Sequence, residues 1–232
     1  MDSDLNEKAE IEAKFICPDC LDLNGLITVV NAFGFQYTRK TPYSQTDIYF
    51  DTPAYTLLKT NTALRIRQKG ESYTGTCKIS KKQHDVIFER SELEWSLSGN
   101  EIKLWHEEKK PIIPPKVIEK LNLSGETLKK VLRVETYRHI ITIHKDGEFK
   151  AELSLDKVTF HSHNEQKVYR EIEVELLHGQ FEHFKQAIDS LQNQLQLQPA
   201  IDSKYRKGLL LIGKHDSNSS PLLYETNSKS DY

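Results

Sequence analysis

Acidic and basic side chains recur in this chain at every second position of short, strand-like runs. The first such run is Glu10-Ile11-Glu12-Ala13-Lys14-Phe15. Side chains on a strand alternate between faces, so Glu10, Glu12 and Lys14 share one face while Ile11, Ala13 and Phe15 share the other. Comparable rows follow at Arg65, Arg67 and Lys69, at Lys78, and at Arg90, Glu92 and Glu94. Glu152, Ser154 and Asp156 form another row, and so do Glu171, Glu173 and Glu175. Carboxylates hold hard divalent cations, whereas guanidinium and ammonium groups hold phosphate oxygens. Rows of both kinds in one chain suit a polyphosphate carried with a divalent cation.

Any one of these rows could be an ordinary solvated strand face. About six strands carry such rows, however, and the opposite faces are mostly apolar, which is the side that must pack against helices. If the sheet closes, the charged faces line its interior and no free strand edge remains. Like charges held close inside cost stability unless an ion or ligand neutralises them. The fold class expected is therefore α+β, a closed barrel with a charged interior and helices packed outside.

The elements that must position these rows are legible in order. After the first strand, Leu21, Leu23, Leu26, Val29, Val30 and Phe33 fit a helix over 22–33 ended by Gly34. The basic, aromatic segment 35–43 leads into a strand closed by Tyr49-Phe50-Asp51-Thr52-Pro53, and 57–60 suits a short helical turn. Strands are expected over 63–70, 73–80 and 86–97, the first two joined by a hairpin at Gly70-Glu71-Ser72. Segment 103–130, broken by Pro111, Pro114, Pro115 and Gly125, reads as an insertion packed outside the barrel. Strands resume over 132–144, 148–158 and 168–177, with a turn at Lys145-Asp146-Gly147. Phe181, Phe184, Ile188, Leu191 and Leu195 then mark a helix over 180–196. Segment 204–212 is basic and then apolar, of unassigned state, and 213–232 reads as a polar, loose tail after one domain spanning 1–212.

The chain has 232 residues, enough for one barrel with a substantial core. Its 32 Lys and Arg nearly balance 34 Asp and Glu, and a net charge of -2 argues against a nucleic-acid or membrane-surface binder. The N-terminal residues lack a signal-peptide apolar core and no run approaches 18 apolar residues, so a cytoplasmic protein is the default expectation. Cys17-Pro18-Asp19-Cys20 has the spacing of a redox or zinc pair, but Cys77 is alone and no further soft ligands match. The cysteines are read as incidental, and His84, His139, His161 and His163, which fall on none of the rows, as surface groups.

The sequence resembles the CYTH domain, the triphosphate tunnel metalloenzyme superfamily. The resemblance rests on Glu10-Ile11-Glu12-Ala13-Lys14, Tyr49-Phe50-Asp51-Thr52, Leu64-Arg65-Ile66-Arg67, Thr76-Cys77-Lys78 and Glu92-Leu93-Glu94. Tyr137-Arg138, Leu155-Asp156, Glu171-Ile172-Glu173 and Ser203-Lys204 complete an ordered set over about residues 8 to 212. It implies an eight-stranded antiparallel tunnel that binds a triphosphate and hydrolyses or rearranges it with Mg²⁺ or Mn²⁺. The run Arg170 to Leu177 and the ending Ser203-Lys204-Tyr205-Arg206-Lys207-Gly208 look most like the bacterial inorganic triphosphatases. That type often carries a second, histidine-rich helical domain, which this chain is expected to lack.

By this resemblance Glu10, Glu12, Glu171 and Glu173 hold the metal. Lys14, Arg65, Arg67, Lys78, Arg138 and Lys204 bind phosphoryl oxygens, and Lys14, Lys78, Arg65, Arg67 and Glu173 carry the catalysis. Glu92, Glu94, Glu152 and Asp156 hold a second metal or orient the water. Cleavage of inorganic triphosphate to pyrophosphate and phosphate is the activity expected first. Thiamine triphosphatase and class IV adenylate cyclase are the rivals within the superfamily, with Trp95 and Trp105 as candidate contacts to an organic moiety. A non-catalytic polyphosphate- or nucleotide-binding module is the reading from another class.

Overall fold

Eight antiparallel strands close into a barrel in the computed structural model, which describes residues 5–108, 111–145, 147, 149–161 and 166–212. The strands are β1 (Asn6–Ile16), β2 (Gln36–Asp51), β3 (Thr62–Lys69), β4 (Ser72–His84), β5 (Ile87–Ser96), β6 (Lys129–Lys145), β7 (Phe149–His161) and β8 (Gln166–His178). Around the barrel the order is β5-β4-β3-β2-β6-β7-β8-β1, and β1 pairs back onto β5 to close the ring. A two-residue strand β9 (Gln198–Pro199) continues β5's edge of β1, opposite Phe15 and Ile16. The expected turn at Asp146 and the expected tail over 213–232 lie outside the described residues, as does His163.

Register carries the charged rows to one face. Glu12 lies opposite Glu175 and Lys14 opposite Glu173, while on the other edge Glu10 faces Arg90. Asp156 stands between Arg138 on β6 and Glu171 on β8. A one-residue slip in any pair would turn these rows outward. Strand β2 is longer than the sequence pattern suggested because it absorbs Pro42 at a register shift between Lys40 and Tyr43, where no ladder hydrogen bond from residue 42 is required.

The apolar core lies outside the barrel wall. Helices α1 (Leu23–Ala32) and α5 (Phe181–Leu195) cover the backs of β1, β6, β7 and β8 through Phe15, Ile141, Leu153, Ile172, Phe184 and Ile188. Asp22 caps α1 by accepting from Gly25 N at 2.8 Å. The insertion supplies α3 (Gly99–Glu108) and α4 (Pro115–Lys120), which pack outside β2 to β5 against Phe50, Leu64 and Trp95. Gly75 makes room for that indole, since a Cβ there would lie 2.0 Å from Trp95 Cε2. The short helix α2 (Thr56–Lys59) follows β2, and the segment 204–212 forms helix α6 (Lys204–Leu211), packed on Leu132, Val158 and Phe160. Fully burying each large apolar side chain in these layers contributes about 1.5–3 kcal/mol, so the wall is held from outside and its inner face is left to polar groups.

Candidate active site

The inner face encloses a cavity of about 540 Å³ lined almost entirely by charged and polar side chains. Lys14, Arg65, Arg67, Lys78, Arg138, Lys204, Glu10, Glu12, Glu92, Glu94, Glu152 and Glu173, all expected from the sequence, line it. Asp156 and Glu171 are buried in the wall beside them. None of His84, His139 and His161 reaches the cavity.

On one side three carboxylates converge. Ligand oxygens of Asp156, Glu171 and Glu173 lie within 4.8 Å of one another. Three cations answer them. Arg138 donates Nε to Asp156 Oδ1 at 2.7 Å and also reaches Glu173. Lys14 Nζ lies 2.8 Å from Glu173 Oε1. Lys204 Nζ lies 2.8 Å from Glu173 and 3.1 Å from Asp156, and it contacts Glu171. Burial raises the Glu171 carboxyl; Lys204 opposes that shift, and Glu173 and Asp156 add to it. Burial works against the charge on Glu173 too, but Lys14, Lys204 and Arg138 together hold it well below the usual carboxylate range.

Next to this cluster, β1, β5 and β4 carry a second set of pairs. Lys78 meets Glu10 and lies 3.7 Å from Glu92, which also takes Lys8 at 3.0 Å. Glu12 meets Arg90 and lies 3.4 Å from Lys14. Burial disfavours the charge on Glu10, yet Lys78, with Lys14 and Arg90 behind it, lowers its pKa to about 2. Glu10 Oε2 is buried without a hydrogen-bond partner. Glu10 and Glu12 therefore share the cavity with the Asp156 cluster but stand outside that close group of three. Glu152 accepts from Lys40 at 2.6 Å, and Glu94 is exposed.

Several members of the site were missing from the sequence expectations. Asp47 is fully buried, accepts from Arg67 Nε and Nη2 at 2.7 and 2.8 Å, and lies 3.4 Å from Arg65 Nη1. It sits two residues before Tyr49 on the same face, so extending β2 backwards with period two would have found it. Arg90 lies in the β5 row and pairs with Glu12, and Lys8 lies one step of the alternation before Glu10 and pairs with Glu92. Asp51 belongs to a quoted motif, and its task is positional. Its carboxylate accepts from Thr52 N, Leu57 N and Leu58 N at 2.7 to 2.9 Å, and from the Tyr205 hydroxyl at 2.7 Å. This ties β2, α2 and α6 together, and Ser203 caps α6 by accepting from Arg206 N. Lys204, at the first turn of α6, is thereby aimed into the cavity.

Trp95 and Trp105 stand elsewhere. Trp95 is buried in the outer core and donates to Ile112 O at 3.0 Å, and Trp105 packs edge-on against Phe50. The aromatic groups that do line the cavity are Tyr43, Tyr49, Phe88 and Tyr205. Cys17 and Cys77 are buried free thiols, the latter pushed up to about 12 by burial, and Cys20 is an exposed free thiol.

The donor set fits a hard divalent ion. Three carboxylates in reach of a common point offer only oxygen ligands, the chemistry of Mg²⁺ and Mn²⁺ sites. The cations around them are equally suited to phosphoryl oxygens. Among the described residues, no helix is long and apolar enough to cross a membrane.

Comparison with known proteins agrees with this geometry. No curated protein sequence matches the chain. Among solved structures, the fold is similar to a candidate adenylate cyclase from Bacillus halodurans at 21% identity, with a TM-score of 0.62 over 87% of this chain and 97% of that one. It is also similar to a candidate adenylyl cyclase from Hippeastrum with a dominant triphosphatase activity, at 19% identity and a TM-score of 0.57 over 92% and 99% of the two chains. A protein from Pyrococcus horikoshii OT3 follows at 20% identity and a TM-score of 0.52, over 87% and 98%. The CYTH domain family matches residues 8–208. With a closed eight-stranded tunnel, an ordered set of lumen charges and a buried acidic cluster fit for a divalent metal, the chain belongs to the CYTH domain family, the triphosphate tunnel metalloenzymes.

Proposed function

We propose that the protein is a divalent-metal-dependent hydrolase that cleaves inorganic triphosphate to pyrophosphate and phosphate. The observation that carries this reading is a cavity where cations from β1, β3, β4, β6 and α6 surround a cluster of carboxylates, with both tryptophans outside it. Tyr49 and Phe88 are buried in the wall, and the Tyr43 ring is covered by Lys69 Nζ at 3.4 Å, which leaves little free aromatic surface for an organic moiety. The buried acids argue against a pure binding module, since phosphate binding alone is served by cations.

In this reading Arg65, Arg67, Lys78, Arg138, Lys14 and Lys204 hold the phosphoryl oxygens and stabilise the charge that builds on the departing pyrophosphate. Asp47 fixes the guanidinium groups of Arg67 and Arg65, and Asp51 fixes the helix that carries Lys204. Water attacks the terminal phosphorus in line, its proton passes to solvent or a lumen carboxylate, and the bond to the bridging oxygen breaks. Mg²⁺ or Mn²⁺ would be held by Asp156, Glu171 and Glu173, with Glu10 and Glu12 beside them, and would supply Lewis acidity to the phosphate and lower the pKa of a water. Glu92 and Glu94 on β5 and Glu152 on β7 orient water or a second ion. Tyr43, half-buried in the cavity lining, is the group that favours a second reading, an organic triphosphate such as thiamine triphosphate or ATP. Phosphate, pyrophosphate and cyclic-nucleotide release from triphosphate, thiamine triphosphate and ATP, each with Mg²⁺ and Mn²⁺, separates these readings. Faster turnover of either organic substrate than of triphosphate would refute the first.

A further inference from the structure

The three carboxylates best placed for a metal are already engaged by a side chain of the protein. Lys204 Nζ is 3.1 Å from Asp156 and 2.8 Å from Glu173, and it contacts Glu171. Among the described residues it is the one cation that meets all three. Lys14 meets Glu173 and Glu12, and Arg138 is forked onto Asp156 with one arm on Glu173. The cluster thus has three negative charges against three positive ones. Adding a divalent ion leaves five positive charges on three carboxylates, and the ammonium in the middle of the cluster is the one that must yield.

The backbone that carries this lysine is held firmly. Tyr205 is tied to Asp51 at 2.7 Å and stacked on Tyr49 with ring centroids 5.4 Å apart. Gly208 lets α6 lie so close to β6 and β7 that a Cβ would be 2.5 Å from Leu132 and 2.7 Å from Phe160. Any exchange therefore occurs in the four-carbon side chain, not by withdrawal of the helix. Lysine is suited to this, being a compact charge on a flexible stem, whereas an arginine fork would hold two carboxylates at once.

We propose that Lys204 is an exchangeable internal counterion: it neutralises the Asp156–Glu171–Glu173 cluster without metal and gives up those carboxylates to a divalent cation. Once displaced, its ammonium group is free for the phosphate oxygens of an incoming polyphosphate. The second half rests on the function proposed above; the exchange itself concerns only the metal and is tested without substrate.

Mn²⁺ affinity of the full chain is measured by titration calorimetry for wild type, Lys204→Gln and Lys204→Arg. The Gln variant is expected to bind at least about tenfold tighter than wild type, a competing charge having been removed, and the Arg variant several-fold weaker. Unchanged or weaker binding by the Gln variant overturns the proposal, as does absence of Mn²⁺ binding in both proteins. Should the Gln variant fail to fold, the Arg variant decides alone, and affinity equal to or above wild type overturns the exchange. Failure to hydrolyse triphosphate with the ordered Mn²⁺ series intact would refute the substrate assignment and leave the exchange standing.

Discussion

Replacing Asp47 by Asn tests whether the phosphate-facing arginines are held by a buried ion pair. Asp47 is fully buried and is the acceptor for both Arg67 donors, with Arg65 at 3.4 Å. The variant keeps the volume and one acceptor oxygen but leaves two largely buried guanidinium groups without a counter-charge. Breaking a buried pair costs about 3–5 kcal/mol, and the retained oxygen places the expected loss near about 3 kcal/mol. In a chain of this size that lowers Tm by about 6–12 °C. Burial disfavours the Asp47 charge, yet Arg67 and Arg65 hold its carboxyl well below the usual range. A depressed pKa contributes stability above the unfolded value of about 4, and the contribution fades as pH falls through the folded value. Urea denaturation of both proteins should give a constant gap from neutral pH down to about pH 5, narrowing below about pH 4 as wild type loses the charge that the variant lacks. A gap under about 1 kcal/mol at neutral pH, typical of an exposed pair, or one that does not narrow in acid, would mean that Asp47 does not hold the two arginines as a buried ion pair.

Two further predictions concern what holds the tunnel and its helix. Tyr205→Phe removes the hydroxyl from Asp51 Oδ2 and should cost about 1–3 kcal/mol in urea denaturation; no loss would mean that the contact does not anchor α6. Gly75→Ala pushes a Cβ into the Trp95 ring and should destabilise by about 3 kcal/mol with an altered near-ultraviolet tryptophan signal; wild-type stability and signal would contradict the packing of β4 under the insertion.

The period-two alternation of charge carried most of the barrel in the sequence, because a strand buried on its apolar side and lining a lumen on the other must alternate. It identified Glu10, Glu12, Lys14, Arg65, Arg67, Glu171 and Glu173, all of which the register brings to one cavity or its wall. Asp47 was hidden because the stretch before Tyr49 mixes Ser, Gln, Thr and Asp, with no apolar alternation to announce a strand. Helix α6 was illegible for a different reason. Segment 204–212 has a weak apolar stripe, and its helical state depends on a serine cap, a glycine that permits close packing and a hydrogen bond to Asp51, 154 residues away. The closeness of Asp156 to Glu171 and Glu173 also depends on the register of β7 against β8, which no local pattern encodes. Conversely, the tryptophans suggested for an organic moiety are apolar filling between the wall and the insertion, a role that composition cannot distinguish from ligand contact.

The lumen carboxylates matter here because they are proposed to serve a metal that acts on triphosphate. Metal-dependent phosphate release should be followed for wild type and Glu173→Gln at saturating Mg²⁺ or Mn²⁺, with thermal melts confirming that both are folded. A loss of roughly a hundredfold or more is expected in the variant. Release that remains within about twofold of wild type would contradict it.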